Sequence, residues 1–347
     1  MSTVDPEFAQ AAAAMPGRTA VEDVTVQRRQ FQGFVDLMNA KTTSSLPPAT
    51  EYRVEDHTVS VDGGDINVRC LIPTTEAKKT HPLLVWYHGG GWCVGNSDID
   101  DHFLRHVCVT NQVTIVSVDY RLAPEHPYPI PNNDCYSALK WAAAHAESLD
   151  VSLTAGFVVA GISSGGNAAA TVARRAAGDP YFSTRPLTGQ ILHLPVIFHS
   201  SGIPQKWKSE TRSRVEFADD PFLREKSIQR VESGLTYLIS FGTAVTYQPD
   251  AGFYQADPSD PDAWPLLQSN HGQLPPTAMQ ICGRDPLRDE NFLFERELRQ
   301  AGVKTRLYKY PGVPHGFHVF FPELKLAKRF KEEFQQSLRW LLEGAQP

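Results

Sequence analysis

Residues 160–170 read AGISSGGNAAA, preceded by the apolar run Phe157, Val158, Val159. A short β-branched and aromatic run ending in glycine reads as a buried strand, and the alanines beyond it read as a helix. Between the two, Gly161, Ile162, Ser163, Ser164 and Gly165 spell G-x-S-x-G. In a strand-to-helix setting this pattern is a nucleophile elbow, a turn sharp enough to lift a serine above the carboxyl edge of a sheet. The glycines are needed because a side chain there would collide with the neighbouring strand and helix. Only Ser163 has glycines two before and two after it, so Ser163 is the candidate nucleophile and Ser164 offers its backbone N–H. The plain alternative is a glycine-rich turn with no chemical role.

Outward from the elbow the chain alternates apolar strand, loop and helix. Strands are predicted at LLVWY from Leu83, VTIVSVDY from Val113, FVVA from Phe157, GQILHL from Gly189, TAMQIC from Thr277 and VKTRLYKY from Val303. Helices are predicted between them, among them CYSALKWAAAHA and ENFLFERELRQAG, the second stopping at Gly302. Near-continuous apolar strands separated by helices predict an α/β fold with a mostly parallel central sheet covered on both faces. Two segments flanking Gly63 and Gly64, RVEDHTVSV and DINVRCLIP, predict an antiparallel hairpin at its start. The last helix places Ala327, Phe330, Phe334, Leu338 and Leu341 on one stripe. The first fifty residues read as a loose leader and one helix bearing Val24, Phe31, Val35 and Met38. From Ser200 to Pro249 the alternation fails, and a long charged and aromatic insertion reads as a lid.

A serine hydroxyl is a weak nucleophile near neutral pH and needs a base, which in turn needs an orienting carboxylate. His315, in YPGVPHGFHVF after the last strand, sits in a Gly/Pro-rich loop that should open on the elbow's edge of the sheet. His318 competes, but the adjacent glycine favours His315. In QICGRDPLRDE, Asp285 follows the preceding strand, whereas Asp289 is explained as a helix-entry residue. The candidate triad is therefore Ser163, Asp285 and His315, in the chain order Ser, Asp, His. The stretch YHGGGW directly follows LLVWY, and its glycines let backbone N–H groups turn toward a developing negative charge. Gly89, Gly90 and Ser164 are the expected oxyanion hole. Trp92, Phe217 and Phe222 are candidates to line a substrate pocket, with ordinary packing as the competing explanation.

The bulk numbers exclude other classes. Among 347 residues the net charge is −6, with 41% hydrophobic and 21% charged residues, so no basic excess points to nucleic acid or an anionic membrane. No apolar stretch approaches bilayer length, and the first twenty residues lack a signal peptide's basic start and leucine-rich centre. Five cysteines (Cys70, Cys93, Cys108, Cys135, Cys282) without close pairing fit reduced thiols and a cytoplasmic location. His102 and His106 stand four apart with Cys108 nearby, but no third ligand follows, so neither a metal nor an organic cofactor is expected. The expected partner is a small-molecule ester, with no nucleic acid and no stable membrane insertion, and a homodimer is compatible with the sequence.

HGGGW at His88, VDYRLAPEHPYP from Val118, GISSGGN at Gly161, DPLRDE at Asp285 and HGF at His315 resemble the hormone-sensitive lipase family of α/β-hydrolases, from Glu51 to the end of the chain. The resemblance implies the α/β-hydrolase fold, structural roles for Arg121 and Glu125, and a two-part cap. The expected division is an N-terminal cap segment at 1–50, a catalytic domain at 51–199 and 250–347, and a cap insertion at 200–249. It implies a serine carboxylesterase acting on small, fairly apolar esters. A specialised-metabolism enzyme catalysing acyl transfer or cyclisation is the second expectation. A ligand-binding receptor of the same fold, like the gibberellin receptors that have lost the histidine, is the third. The family's elbow usually reads GDSAGG, whereas here Ile162 replaces the acidic residue and Ser164 the alanine.

Overall fold

The computed structural model describes residues 1–14, 23–74, 80–219, 223, 228, 229, 232 and 253–346. Its strands are β1 (Tyr52–Val61), β2 (Gly64–Pro73), β3 (Leu83–Tyr87), β4 (Thr114–Asp119), β5 (Phe157–Ile162), β6 (Gly189–His193), β7 (Thr277–Cys282) and β8 (Thr305–Tyr310). They form one sheet in the order β1-β2-β4-β3-β5-β6-β7-β8. The β1–β2 hairpin and its junction with β4 are antiparallel, and every later pairing is parallel. Strands β3, β5, β6 and β7 are buried along their whole length, which is why they read as continuous apolar runs. Edge strand β1 is buried only at intervals, and its sequence is correspondingly mixed.

The described helices are α1 (Pro6–Ala13), α2 (Val24–Thr42), α3 (Asp101–Asn111), α4 (Ile130–Ala144), α5 (Ser164–Gly178), α6 (Ser213–Glu216), α7 (Arg288–Gln300), α8 (Phe317–Phe320) and α9 (Lys325–Leu342). On one face of the sheet, α4, α5 and α7 contribute Leu139, Val172, Phe294 and Leu298 to the larger core. On the other, Leu104 and Val107 of α3 meet Phe330, Phe334, Leu338 and Leu341 of α9. Those four α9 side chains are almost fully covered. At roughly 1.5–3 kcal/mol each, they contribute on the order of 6–12 kcal/mol of gross burial energy, enough to dock the helix by that stripe alone.

Three expectations need correction. The leader is not loose: Asp5 accepts from the Phe8 N–H at 2.9 Å and caps α1, and Phe8 packs edge-on against Phe321 at 5.5 Å. One aromatic residue among alanines gives no stripe to read. In α2 the buried side chains are Phe34 and Val35, while Phe31 and Met38 are only partly covered. Helix α4 starts at Ile130, five residues ahead of CYSALK, because Pro131 is tolerated in a first helical turn. Between β6 and β7 the described part of the insertion holds short helical turns and α6, and Phe222 lies outside the described residues. Among the described residues no helix is long and apolar enough to cross a membrane.

Candidate active site

Strand β5 ends at Ile162 and α5 begins at Ser164, so Ser163 alone makes the turn, with φ 57° and ψ −118°. A non-glycine residue rarely adopts that conformation, and it persists only where its surroundings hold it. Here they do: the Ser163 N–H donates to His193 O at 2.8 Å, and the Ser163 carbonyl accepts from the Asn167 N–H at 3.0 Å. Both flanking glycines are required sterically. A Cβ on Gly161 would run into the Gly165 carbonyl, and one on Gly165 into the carbonyls of Tyr87 and His88 at the end of β3. Asn167 adds a lock, donating from Nδ2 to Val196 O at 2.9 Å and Ala263 O at 2.8 Å.

The loop after β8 brings His315 to the serine, with Nε2 3.0 Å from Ser163 Oγ. The loop after β7 brings Asp285 behind it, with Oδ2 2.7 Å from His315 Nδ1. A carboxylate only accepts, so Nδ1 carries the proton and Nε2 is left to accept from the serine hydroxyl. Asp285 is 1% exposed, and its other oxygen accepts from the Leu287 N–H at 2.8 Å, which fixes the carboxylate's rotation. The competitors are committed elsewhere. Asp289 accepts from the N–H groups of Arg212 and Ser213 at 2.8 and 2.7 Å. It therefore serves the entry of α6, not of its own helix as the sequence suggested. His318 is stacked on Phe330 with centroids 3.9 Å apart, and burial holds it neutral, its pKa well below the ordinary value.

The loop after β3 faces the elbow. A Cβ on Gly89 would lie 3.2 Å from Ile162 Cγ2 and 3.6 Å from Ser163 Cβ, so bare backbone borders the serine there. Gly90 has φ 129°, and a side chain on it would overlap the Val94 carbonyl. Its own carbonyl accepts from the N–H groups of Cys93 and Val94, both at 3.1 Å, closing the turn. Two residues with no role assigned from the sequence, Tyr120 and His88, brace this loop. Tyr120 donates its hydroxyl to His88 O at 2.8 Å, and its ring stacks on His88 at 4.3 Å. The His88 Nδ1 donates to Gly89 O at 2.8 Å, and burial keeps that ring neutral. Ser164 is fully buried at the first position of the fifteen-residue α5, whose N-terminal N–H groups favour negative charge nearby.

The expected pocket residues are placed differently. Trp92 is 2% exposed, stacked on Tyr254 at 3.9 Å and edge-on to Trp264, so its ring is committed to packing. Phe217 is buried against the guanidinium groups of Arg284 and Arg288, 5.2 and 5.1 Å from its centroid. Ile162, at the family's acidic position, lines a cavity of about 260 Å³ with Trp86, Asp100, His193, His318 and Lys331. His102 is bonded through Nδ1 to Thr42 Oγ1 at 2.7 Å. Arg121 engages buried Asp134 and reaches the carbonyls of Asp62 and Gly63, pinning the first hairpin. Glu125 pairs with Arg28 of α2 at 2.8 Å, and the same guanidinium donates to Cys93 O and Ala123 O. All five cysteines are buried.

A family model described as alpha/beta hydrolase fold matches residues 84–319. The chain is 32% identical over 311 residues to versiconal hemiacetal acetate esterase of Dothistroma septosporum, covering 89% of this chain and 88% of that protein. It is 35% identical over 311 residues to the carboxylesterase NlhH of Mycobacterium tuberculosis, covering 87% and 84%. Among solved structures it is similar to a vibralactone cyclase, with TM-score 0.89, 38% identity, and 99% and 97% of the two chains covered.

Proposed function

Since this chain belongs to the α/β-hydrolase family, in the group of hormone-sensitive lipase-like carboxylesterases, we propose that it hydrolyses small, fairly apolar esters at Ser163. The observation that carries the reading is the unbroken relay from Ser163 Oγ through His315 to Asp285, at 3.0 and 2.7 Å. His315 Nε2 takes the hydroxyl proton as Oγ bonds to the ester carbonyl carbon. Negative charge collects on the carbonyl oxygen, where the N–H groups of Gly89, Gly90 and Ser164 receive it. The C–O bond to the alcohol then breaks, with His315 returning the proton to the leaving oxygen. Water repeats the sequence on the acyl-enzyme, releasing the acid and restoring Ser163. Asp285 holds the Nδ1–H tautomer and offsets the imidazolium charge. None of these steps calls for a metal or organic cofactor. In this reading residues 1–50 and 200–249 cap the site, and 51–199 with 250–347 form the catalytic body. Arg28 of α2, bonded beside the glycine loop, supports the first half of that division.

The similarity to a cyclase supports a second reading, in which a hydroxyl of the acyl group itself replaces water and closes a ring. Both are tested by hydrolysis of p-nitrophenyl acetate, butyrate and decanoate, by fluorophosphonate labelling, and by the Ser163→Ala variant. Labelling at Ser163 with turnover that the variant loses by several orders of magnitude supports the esterase. Labelling without turnover of any ester favours ring closure, for which no ¹⁸O from labelled water enters the product. An unlabelled, inactive wild type refutes both.

A further inference from the structure

We propose that residues 1–5 form a strap that holds the acid-bearing and base-bearing loops against each other, and so position the Asp285–His315 pair. The role assigned to that pair rests on the triad reading above. Met1 O accepts from the Gly312 N–H at 2.8 Å, and the Asp5 N–H returns a bond to Gly312 O at 3.0 Å. Gly312 lies three residues before His315. On the other loop, Arg284 donates through Nη1 to Ser2 O at 2.7 Å, and Arg284 is the residue immediately before Asp285. Arg288 donates through Nη1 to Ser2 Oγ at 3.0 Å and to Gly283 O at 3.1 Å. Behind the strap the two loops are stitched directly, Gly283 N–H to Tyr310 O at 2.8 Å and Arg284 N–H to Val313 O at 3.0 Å.

The surface under the strap is bare backbone. A Cβ on Gly283 would overlap Met1 O, and one on Gly312, whose φ is +77°, would press on Thr3 O and the Asp5 N–H. Hydrophobic burial does not explain the docking, because Met1 and Val4 stay 42% and 40% exposed. Directional bonds to the two loops do. The same cluster reaches α6, since Arg288 Nη2 pairs with Glu216 at 2.9 Å and the Phe217 ring packs against both Arg284 and Arg288. Strap, acid loop and the described part of the insertion thus meet at two arginines. A displacement of about 1 Å between reacting groups can cost on the order of a hundredfold in rate. A small, backbone-held brace can therefore matter far more to turnover than to burial.

The test compares wild type, a chain lacking residues 2–4, Arg284→Ala and Arg284→Lys. Steady-state hydrolysis of p-nitrophenyl butyrate and the downfield ¹H NMR signal of His315 Nδ1–H are both read. Loss of the strap should lower kcat about five- to twentyfold with KM within about twofold, as expected of positioning, and should broaden or shift the signal. Arg284→Lys should recover most of the loss. Arg284→Ala in the shortened chain should add little, because both changes break one device. Wild-type kcat with an unchanged signal in either variant overturns the proposal, as does a lowered kcat with a sharp, unshifted signal. If the shortened chain does not fold, the Arg284 pair decides. A wild type that neither turns over an ester nor takes up the fluorophosphonate at Ser163 defeats the triad reading separately, because the NMR signal still reports the strap without substrate.

Discussion

Asp285→Asn is the most informative substitution, because the two carboxylate oxygens have different partners. Oδ2 faces His315 Nδ1 at 2.7 Å and Oδ1 accepts from the Leu287 N–H at 2.8 Å. An amide cannot serve both. If its oxygen keeps Leu287, its NH₂ faces Nδ1, drives the ring proton to Nε2, and turns the base into a donor toward Ser163. If the amide flips, its NH₂ meets the Leu287 N–H inside a buried pocket, leaving donors unsatisfied at about 1–3 kcal/mol. The two neutral tautomers differ by less than that, so the resting enzyme carries the wrong one and reacts through the flipped minority. That costs roughly 10–100-fold at 1.36 kcal/mol per decade. Loss of the negative charge beside the imidazolium removes a charge-assisted bond of about 1.5–3 kcal/mol, a further 10–100-fold. Together kcat/KM on p-nitrophenyl butyrate should fall about 10²–10⁴-fold, with the melting temperature within a few degrees of wild type. A folded variant keeping a tenth or more of the activity would refute the assignment of Asp285.

Two further outcomes follow from burial and charge. In Gly165→Ala the added methyl overlaps the carbonyls of Tyr87, the last residue of β3, and His88 just beyond it; β3 is paired on both sides, so relief requires moving the sheet. The cost should reach about 3 kcal/mol or more. With an unfolding entropy near 2.1 cal/mol/K per residue, that lowers the melting temperature by at least about 4 °C; an unchanged melting curve would contradict the close approach. Asp100, bonded to Trp86 Nε1 at 2.9 Å, has its pKa pushed up by burial from 3.8 to about 6. Its contribution is full below 3.8 and lost as pH rises through 6, so its ionised form costs about 1–3 kcal/mol at pH 8. Asp100→Asn keeps an acceptor for Trp86 and should raise the melting temperature by about 1–4 °C at pH 8 with no gain at pH 3.5; no gain at pH 8 would count against the sign.

The sheet was legible because buried parallel strands need apolar residues on both faces and so advertise themselves: LLVWY, FVVA and TAMQIC lie where β3, β5 and β7 form. Helix α1 was hidden for the opposite reason, since a single Phe8 anchors it and capping by Asp5 leaves no periodic trace. Trp92 shows a different limit. A tryptophan beside a glycine loop looks the same in sequence whether its ring lines a pocket or stacks on Tyr254, and the partner is 162 residues away.

The meeting of Ser163, His315 and Asp285 follows from topology more than from any of the three residues. In a parallel sheet every strand ends on the same edge, so side chains in the loops after β5, β7 and β8 converge there whatever their separation in the chain. Chain order and strand-end placement, with the adjacent glycine deciding against His318, therefore predicted which of twelve histidines would stand beside Ser163. What sequence order could not supply is the holding of those loops once assembled. Tyr120 on the His88 carbonyl, Asn167 on Val196 and Ala263, and Arg284 on Ser2 are each a polar contact between segments with no shared periodicity. Such contacts are decided only after the sheet has brought the segments together. The chemistry of this edge is thus written locally, in motifs of a few residues, while its precision is distributed over residues that look unremarkable one at a time.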